Sequence, residues 1–418
     1  MSEQTLWCEL AWLGGQTPVA GVVIAVDGGL ITAVRPGCAA PPPGALRLDG
    51  LTLPGLANAH SHCFQRALRG RTERESGGSF WSWREQMYAL AGRLDESRYE
   101  ALARATFAEM ALMGITLVGE FDYIHHSGAC ARAAAAAGVR LTLIDACYLN
   151  GGVELFRDGD VNAWCERVAE LPSGELLRPA AAIHSVRAVD PLSAATVAEF
   201  AGERGWPLHA HVSEQVRENR DCLSAYGATP VGVLRRAGAL SERFTAVHAT
   251  HLTATDAAWL REAGAFICMC PTTERDLADG IGTVPGRVTF GSDSQSVIDP
   301  FEEARAVELN NRLATGVRGR FSAAALAQGL TADGYQSLGW SGGGVIEAGR
   351  LADLTTVALD GVRLAGTRAA EALDSVIFAA GLGDVRELMV GGEFVVRGGK
   401  HTRIDVAAEL EDAITALS

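Results

Sequence analysis

Eight short apolar runs, separated by longer alanine-rich stretches of helical composition, constrain the fold of this chain more than any other feature. The runs are Leu51–Asn58, Ile115–Phe121, Arg140–Ala146, Arg178–His184, Pro207–His211, Thr245–Ala249, Ala265–Cys270 and Val288–Asp293. Segments such as Arg98–Met113 and Phe301–Ala314 carry the helical pattern between them. Strands alternating with helices predict parallel βα units. Eight units over residues 51–345 predict a (β/α)8 TIM barrel of the α/β class, with inserts.

The two ends of the chain read differently. Residues 1–50 alternate short apolar runs with turns, as in Val22–Val26, Asp27-Gly28-Gly29 and Leu30–Val34. Residues 346–418 repeat this with Leu354–Leu359, Ser375–Phe378 and Glu387–Val390, and a helix is expected from Asp405. The two ends are expected to pair as one small β-sandwich domain. The largest insert runs from Cys63 to about Asp95 and contains GSFWSWREQMY. It is too long and aromatic for a simple connection, and a loop of this kind often covers an active site.

Composition excludes several functions. The formal net charge is −14, which repels nucleic acid and anionic membranes in the absence of a local basic patch. No run reaches the ~18 apolar residues of a membrane span. The first residues lack a basic segment followed by an apolar one, so a cytoplasmic protein is expected. The nine cysteines form no paired C-x-x-C set. Cys268 and Cys270 read as buried thiols. Lysine is nearly absent: Lys400 is the single one among 36 Lys plus Arg. Chemistry that needs a Schiff-base, phosphate-loop or metal-bridging lysine would have to use that tail residue.

Polar residues collect where the runs end. His60, His62, His184, His209, His211, His248 and Asp293 all lie at or just past the C-terminal ends of expected strands, the end at which barrel enzymes carry their active sites. Residues two apart on an extended chain point the same way. His60 and His62 can therefore reach one ion, and His-Ala-His at 209–211 repeats the spacing. With Asp293, the set His60, His62 and His211 offers three neutral nitrogens and one carboxylate. This suits a single zinc ion with a position left for water, and iron or manganese also fit. Glu214, three residues after His211, is placed to shuttle protons. His248 is placed to hydrogen-bond the water or the developing oxygen. His251 reads as structural.

These residues resemble the deaminase branch of the amidohydrolase superfamily: H-x-H after strand 1, H-x-x-E at strand 5, His at strand 6 and S-D at strand 8. GRLADLTTVAL at 349–359 is similar to that superfamily's return into its small β-domain. LPGLANAHSHCFQRALRGRTE, SFWSWREQMY, GEFDYIHH, AIHSVRAV, HAHVSEQ, VHATHL and CPTTERDLADGIG together resemble the formimidoylglutamate deiminase family of histidine degradation.

The resemblance implies metal ligation by His60, His62, His211 and Asp293, with Glu214 as proton shuttle and His248 orienting the water. It also implies substrate binding by Gln65, Arg84, Tyr123, His184 and Arg187. The implied substrate, N-formimino-L-glutamate, carries two carboxylates. An acidic protein needs fixed guanidinium groups to hold them, and Arg84 and Arg187 are placed for that. Gln295 stands where the family often has His, and Asp122 where His is expected before Tyr123.

The implied reaction is hydrolytic deimination to N-formyl-L-glutamate and ammonia. The alternative is a related mononuclear-zinc aminohydrolase acting on a nucleobase, nucleoside or guanidino acid. A barrel kept only as a scaffold fits poorly, since ligands and acid are all present. No nucleic-acid or membrane partner is expected, and a homodimer is the default assembly.

Overall fold

The computed structural model describes residues 3–73 and 78–417. The insert from Cys63 to about Asp95 is therefore described apart from residues 74–77. Two eight-stranded sheets organise the chain. Strands β1 (Gln4–Ala11), β2 (Val19–Asp27), β3 (Leu30–Arg35) and β4 (Leu46–Pro54) come from the N-terminal end. Strands β5 (Leu56–Ser61), β6 (Ile115–Asp122), β7 (Arg140–Cys147), β8 (Leu177–Ile183), β9 (Leu208–Val212), β10 (Phe244–His248), β11 (Phe266–Met269) and β12 (Arg287–Phe290) follow. The C-terminal end adds β13 (Leu354–Val357), β14 (Val385–Val390), β15 (Glu393–Arg397) and β16 (Lys400–His401).

Strands β5 to β12 are parallel and pair in sequence order, with helices between them, as a TIM barrel requires. Every residue of β6 and β7 is buried. Both faces are covered, which is why these strands read as continuous apolar runs rather than alternating ones.

The other sheet joins both chain ends in the order β16-β15-β14-β13-β4-β1-β2-β3. It is one continuous sheet rolled on itself, since Leu30 at its β3 edge bridges to Leu351 beside β13. Leu6, Val22, Ile24, Ile31, Leu354 and Met389 pack together inside the roll. A buried bidentate pair fastens this sheet to the barrel. Arg140 at the start of β7 donates to both oxygens of Asp353, just before β13, at 2.6 and 3.0 Å.

Two sequence expectations are corrected. Leu51–Asn58 is not one strand, because its first half ends β4 and its second half begins β5. The break falls at Gly55, whose N–H donates to Asp353 O at 2.8 Å. A Cβ there would lie 2.3 Å from Thr116 Oγ1, so only glycine lets the chain turn so close to β6. Ser375–Phe378 is not a strand but part of the helix Ala372–Ala379. Leu373, Val376 and Ile377 share its buried face at helical spacing. The terminal helix, Val406–Thr415, starts from an Asp405 cap. It is tied to the helix Glu96–Leu112 by the Arg104–Glu409 pair. Among the described residues, no helix is long and apolar enough to cross a membrane.

Candidate active site

The barrel closes through the residues expected to hold a metal. Beyond β12, Asp293 N–H donates to His60 O (3.1 Å), and His62 N–H donates to Asp293 O (3.0 Å). Ser61 and Asp293 thereby form a parallel bridge. The backbone pairing that completes the barrel thus sets three of the four expected ligands. Gly291 permits the approach, since a Cβ there would lie 2.7 Å from His60 Cβ. Asp293, Ser213, His248, Ala249 and Gln295 all have positive φ. In non-glycine residues this costs about 1 kcal/mol or more each. All five cluster where β9, β10 and β12 open into the barrel mouth.

His60 Nε2 and His62 Nε2 lie 3.2 and 3.3 Å from Asp293 Oδ1, and His211 Nε2 lies 3.1 Å from His60 Nε2. These three separations are near the roughly 3.3 Å that a tetrahedral ion imposes on its ligands, and all four donor atoms lie within 4.8 Å of one another, gathered round one site. Their outer contacts agree. His62 Nδ1 faces Phe121 O at 3.0 Å, and His211 Nδ1 faces His184 O at 2.9 Å. Each carbonyl takes an Nδ1–H, which leaves the Nε2 lone pair for a metal.

Burial pushes His60 down to about 3, against the opposing pull of Asp293. Burial likewise lowers His62 and His211. Burial alone would raise Asp293, but the hydrogen bond from His60 and the charge of His248 outweigh it and hold the carboxyl below its usual range. Neutral imidazoles and an ionised carboxylate are the forms that bind a cation.

Two further groups face this set. His248 Nε2 lies 3.8 Å from both Glu214 Oε1 and Asp293 Oδ2. Burial disfavours a charge on His248, yet Glu214, Glu274 and Asp293 outweigh it and push the ring up to about 10. Glu214 is buried, and its other oxygen accepts from Arg187 Nη2 at 2.8 Å. Arg187 thus holds the expected proton shuttle. Its Nη1 is buried without a partner.

A cavity of about 140 Å³ opens above the ligands. The structure brings Gln65, Arg84, Tyr123, His184 and Arg187 to its wall, beside His62, His211, Glu214 and Asp293. Arg84 comes from the helix Phe80–Ala91 in the long insert, which begins with a Ser79–Ser82 capping box. Its guanidinium lies over Trp81 and Tyr88, 4.5 and 5.4 Å from the ring centres. Arg84 Nε and Gln65 Oε1 are buried without partners. Gln65 Nε2 donates to Tyr123 OH at 3.0 Å. His184 packs against Tyr148, with ring centres 4.4 Å apart.

His209 does not reach the mouth. It points the same way as His211 but one layer lower, and its Nε2 meets Ser337 O at 3.1 Å. His251 bonds Asp279 O at 2.8 Å, in keeping with a structural role. Cys268 and Cys270 are buried thiols packed with Ala59 and Val247. The two departures from the family pattern also find their place. Gln295 Nε2 donates to Ser61 Oγ and to Asp293 O, both at 2.9 Å, and so ties the two ligand-bearing loops together. Asp122 accepts from Ile124 N and Ser127 Oγ and braces the loop after β6.

Two buried acids escape sequence reasoning. Glu120 on β6 accepts from Ser61 Oγ (2.6 Å) and Cys63 N (2.7 Å), on either side of His62. Burial pushes its carboxyl up to about 8. An acid within the apolar run Ile115–Phe121 was the available signal. Glu274, in CPTTE after β11, lies with Oε1 3.6 Å from His248 Nδ1. Its only sequence signal is its place just past a strand end.

Comparison with known proteins agrees with this geometry. Residues 51–395 match the amidohydrolase family. The formimidoylglutamate deiminase of Pseudomonas aeruginosa is 35% identical, covering 89% of this chain and 90% of the relative. The 5-methylthioadenosine/S-adenosylhomocysteine deaminase of Natronomonas pharaonis is 28% identical over 87% of this chain and 85% of its own. The crystal structure of an amidohydrolase from Brucella melitensis superposes with a TM-score of 0.90 at 30% identity, covering 99% of each chain. The chain belongs to the amidohydrolase family and is one of its deaminases, a hydrolase acting on C–N bonds.

Proposed function

We propose that this enzyme hydrolyses N-formimino-L-glutamate to N-formyl-L-glutamate and ammonia, a step of histidine degradation. The observation that carries the reading is the pair of guanidinium groups, Arg84 and Arg187, on one cavity wall. Each keeps a buried nitrogen without a partner. Arg187 already meets Glu214 through Nη2, which leaves its buried Nη1 and the Arg84 guanidinium to meet further anions. The substrate's two carboxylates are those anions, and the 35%-identical relative supports the same choice.

A divalent ion held by His60, His62, His211 and Asp293, zinc by its donor set, supplies Lewis acidity and a water of lowered pKa. The residues do the rest. Arg84 and Arg187 fix the carboxylates, which brings the formimino carbon over the ligand set. Gln65 and Tyr123, already bonded to each other, line the cavity beside His62. Asp293 takes a proton from the water as its oxygen bonds to the formimino carbon. His248 donates from Nε2 to that oxygen. Glu214 takes the remaining proton from that oxygen and passes it to the terminal nitrogen, and the proton held by Asp293 follows, so both water protons leave in ammonia. The bond from carbon to that nitrogen breaks, ammonia leaves, and the other nitrogen keeps the new formyl group.

The test is ammonia release by zinc-loaded protein from N-formimino-L-glutamate, with 5′-methylthioadenosine in parallel. Turnover of the first and not the second is expected. The reverse pattern would move the substrate to the nucleosides.

A further inference from the structure

His248 is held in an unusual way. It has φ 65 and the following Ala249 has φ 51, so two adjacent non-glycine residues sit in the left-handed region, each at a cost. Ala249 N–H donates to Val212 O at 3.0 Å, which locks the turn. The result aims one edge of the ring into the site and the other at the segment after β11. On that second edge Nδ1 is buried with no hydrogen-bond partner. The carboxylate facing it is Glu274, at 3.6 Å.

Glu274 is 2% exposed. Its Oε1 accepts from Cys270 N–H at 2.9 Å, which fixes its rotamer. His248 is the one basic group within 4 Å of it among the described residues. A buried carboxylate is expensive unless it is paired and hydrogen-bonded. The Cys270 N–H meets part of that need, and the ring adds a counter-charge and a second donor if it turns its Nδ1–H toward Glu274.

We propose that Glu274 is the positioning residue for His248. Its carboxylate takes the Nδ1–H, which fixes the ring's orientation and presents Nε2–H to the oxygen added to the substrate. The separation of 3.6 Å is long for a hydrogen bond, and catalytic hydrogen bonds commonly tighten in the complex with substrate. The arrangement parallels the carboxylates that orient catalytic and metal-binding histidines elsewhere. The assignment rests on the proposed reaction only for the identity of the oxygen acceptor.

The experiment combines kinetics with a spectrum of the zinc-loaded enzyme labelled with ¹⁵N-histidine. The expected spectrum has a downfield Nδ1–H resonance that is lost in both Glu274→Ala and His248→Gln. With N-formimino-L-glutamate, Glu274→Ala is expected to lose about 10- to 100-fold in kcat, with KM and zinc content near wild type. Glu274→Gln, which keeps an acceptor, should lose less. An unprotonated Nδ1 in the wild type overturns the proposal even if the variants fail to fold. So does wild-type kcat in Glu274→Ala, or a loss that follows zinc content alone. If the wild type shows no turnover of this substrate, the substrate reading fails, while the spectrum still decides the role of Glu274.

Discussion

The floor and the wall of the active site are built on opposite plans. On the floor, His62 and His211 spend their outer nitrogens on main-chain carbonyls, and Asp293 is fixed by the hydrogen bonds that close the barrel. Among the floor's ligands, His60 Nδ1 alone is buried without a partner; the other outer contacts are made within the protein. On the wall, Arg84, Gln65 and Arg187 keep buried polar atoms without partners. Such atoms cost roughly 1–3 kcal/mol each when left unmet, so the wall is completed by what it binds. In the proposed reading the difference separates chemistry from choice of substrate: the floor performs C–N hydrolysis, and the wall decides on which molecule.

Removing a floor residue should therefore have the largest effect. His62→Ala is expected to lose the ion and, with several kcal/mol of transition-state stabilisation gone, about 10³- to 10⁴-fold in kcat. Elemental analysis and kinetics together check this. Glu214→Gln should keep the metal and the KM while kcat falls about 10²- to 10⁴-fold.

At the boundary of the two regions stands Arg187, bonded to Glu214 and facing the cavity. Arg187→Ala should lower kcat and raise KM together, because it frees the shuttle and removes an anchor. Arg84→Ala should act mainly on KM, by about 10- to 150-fold, one charge-assisted contact being worth about 1.5–3 kcal/mol. Equal kinetic signatures for the two variants would erase the distinction between boundary and wall.

How legible each region was in the sequence follows from the same contrast. The floor is set by strand register, and register shows as spacing: His60 and His62, or His211 and Glu214 at the end of one apolar run. The eight runs were legible because strands buried on both faces are mostly apolar along their length. The wall depends on tertiary placement. Nothing local to Gln65 or Tyr123 singles them out, and they came from the family resemblance; Arg84 was marked beyond it only by its place in the aromatic insert. Residues serving other residues were the hardest to read. Glu120 and Glu274 touch the site through Ser61 and His248, partners far away in the chain. His209 shows the limit of spacing itself, since side-chain direction was right and depth was not.

Smaller effects probe the supports of the floor. Gln295→Ala frees Ser61 and the Asp293 carbonyl, and should weaken zinc binding by about tenfold in a chelator competition, as outer contacts of metal ligands usually do. His209 gives a pH signature one layer below. Burial holds it down to about 4, against the pull of the Ser337 carbonyl, whereas in the unfolded chain it titrates near its ordinary 6.5. As pH falls from about 6.5 to about 4, the unfolded state takes up the proton first, so stability is lost across that window. In zinc-loaded protein, His209→Gln should reduce the drop in Tm between pH 7 and pH 4.5 by about 2 °C.

The most direct measurement is the ratio of kcat/KM values for N-formimino-L-glutamate and its analogue lacking one carboxylate, N-formimino-4-aminobutyrate, in zinc-loaded wild type, Arg84→Ala and Arg187→Ala. A wall completed by the substrate's carboxylates predicts a strong preference for the dicarboxylate in the wild type, and its collapse in one of the two variants. Equal turnover of both by the wild type, or a preference untouched by the loss of either arginine, would contradict it.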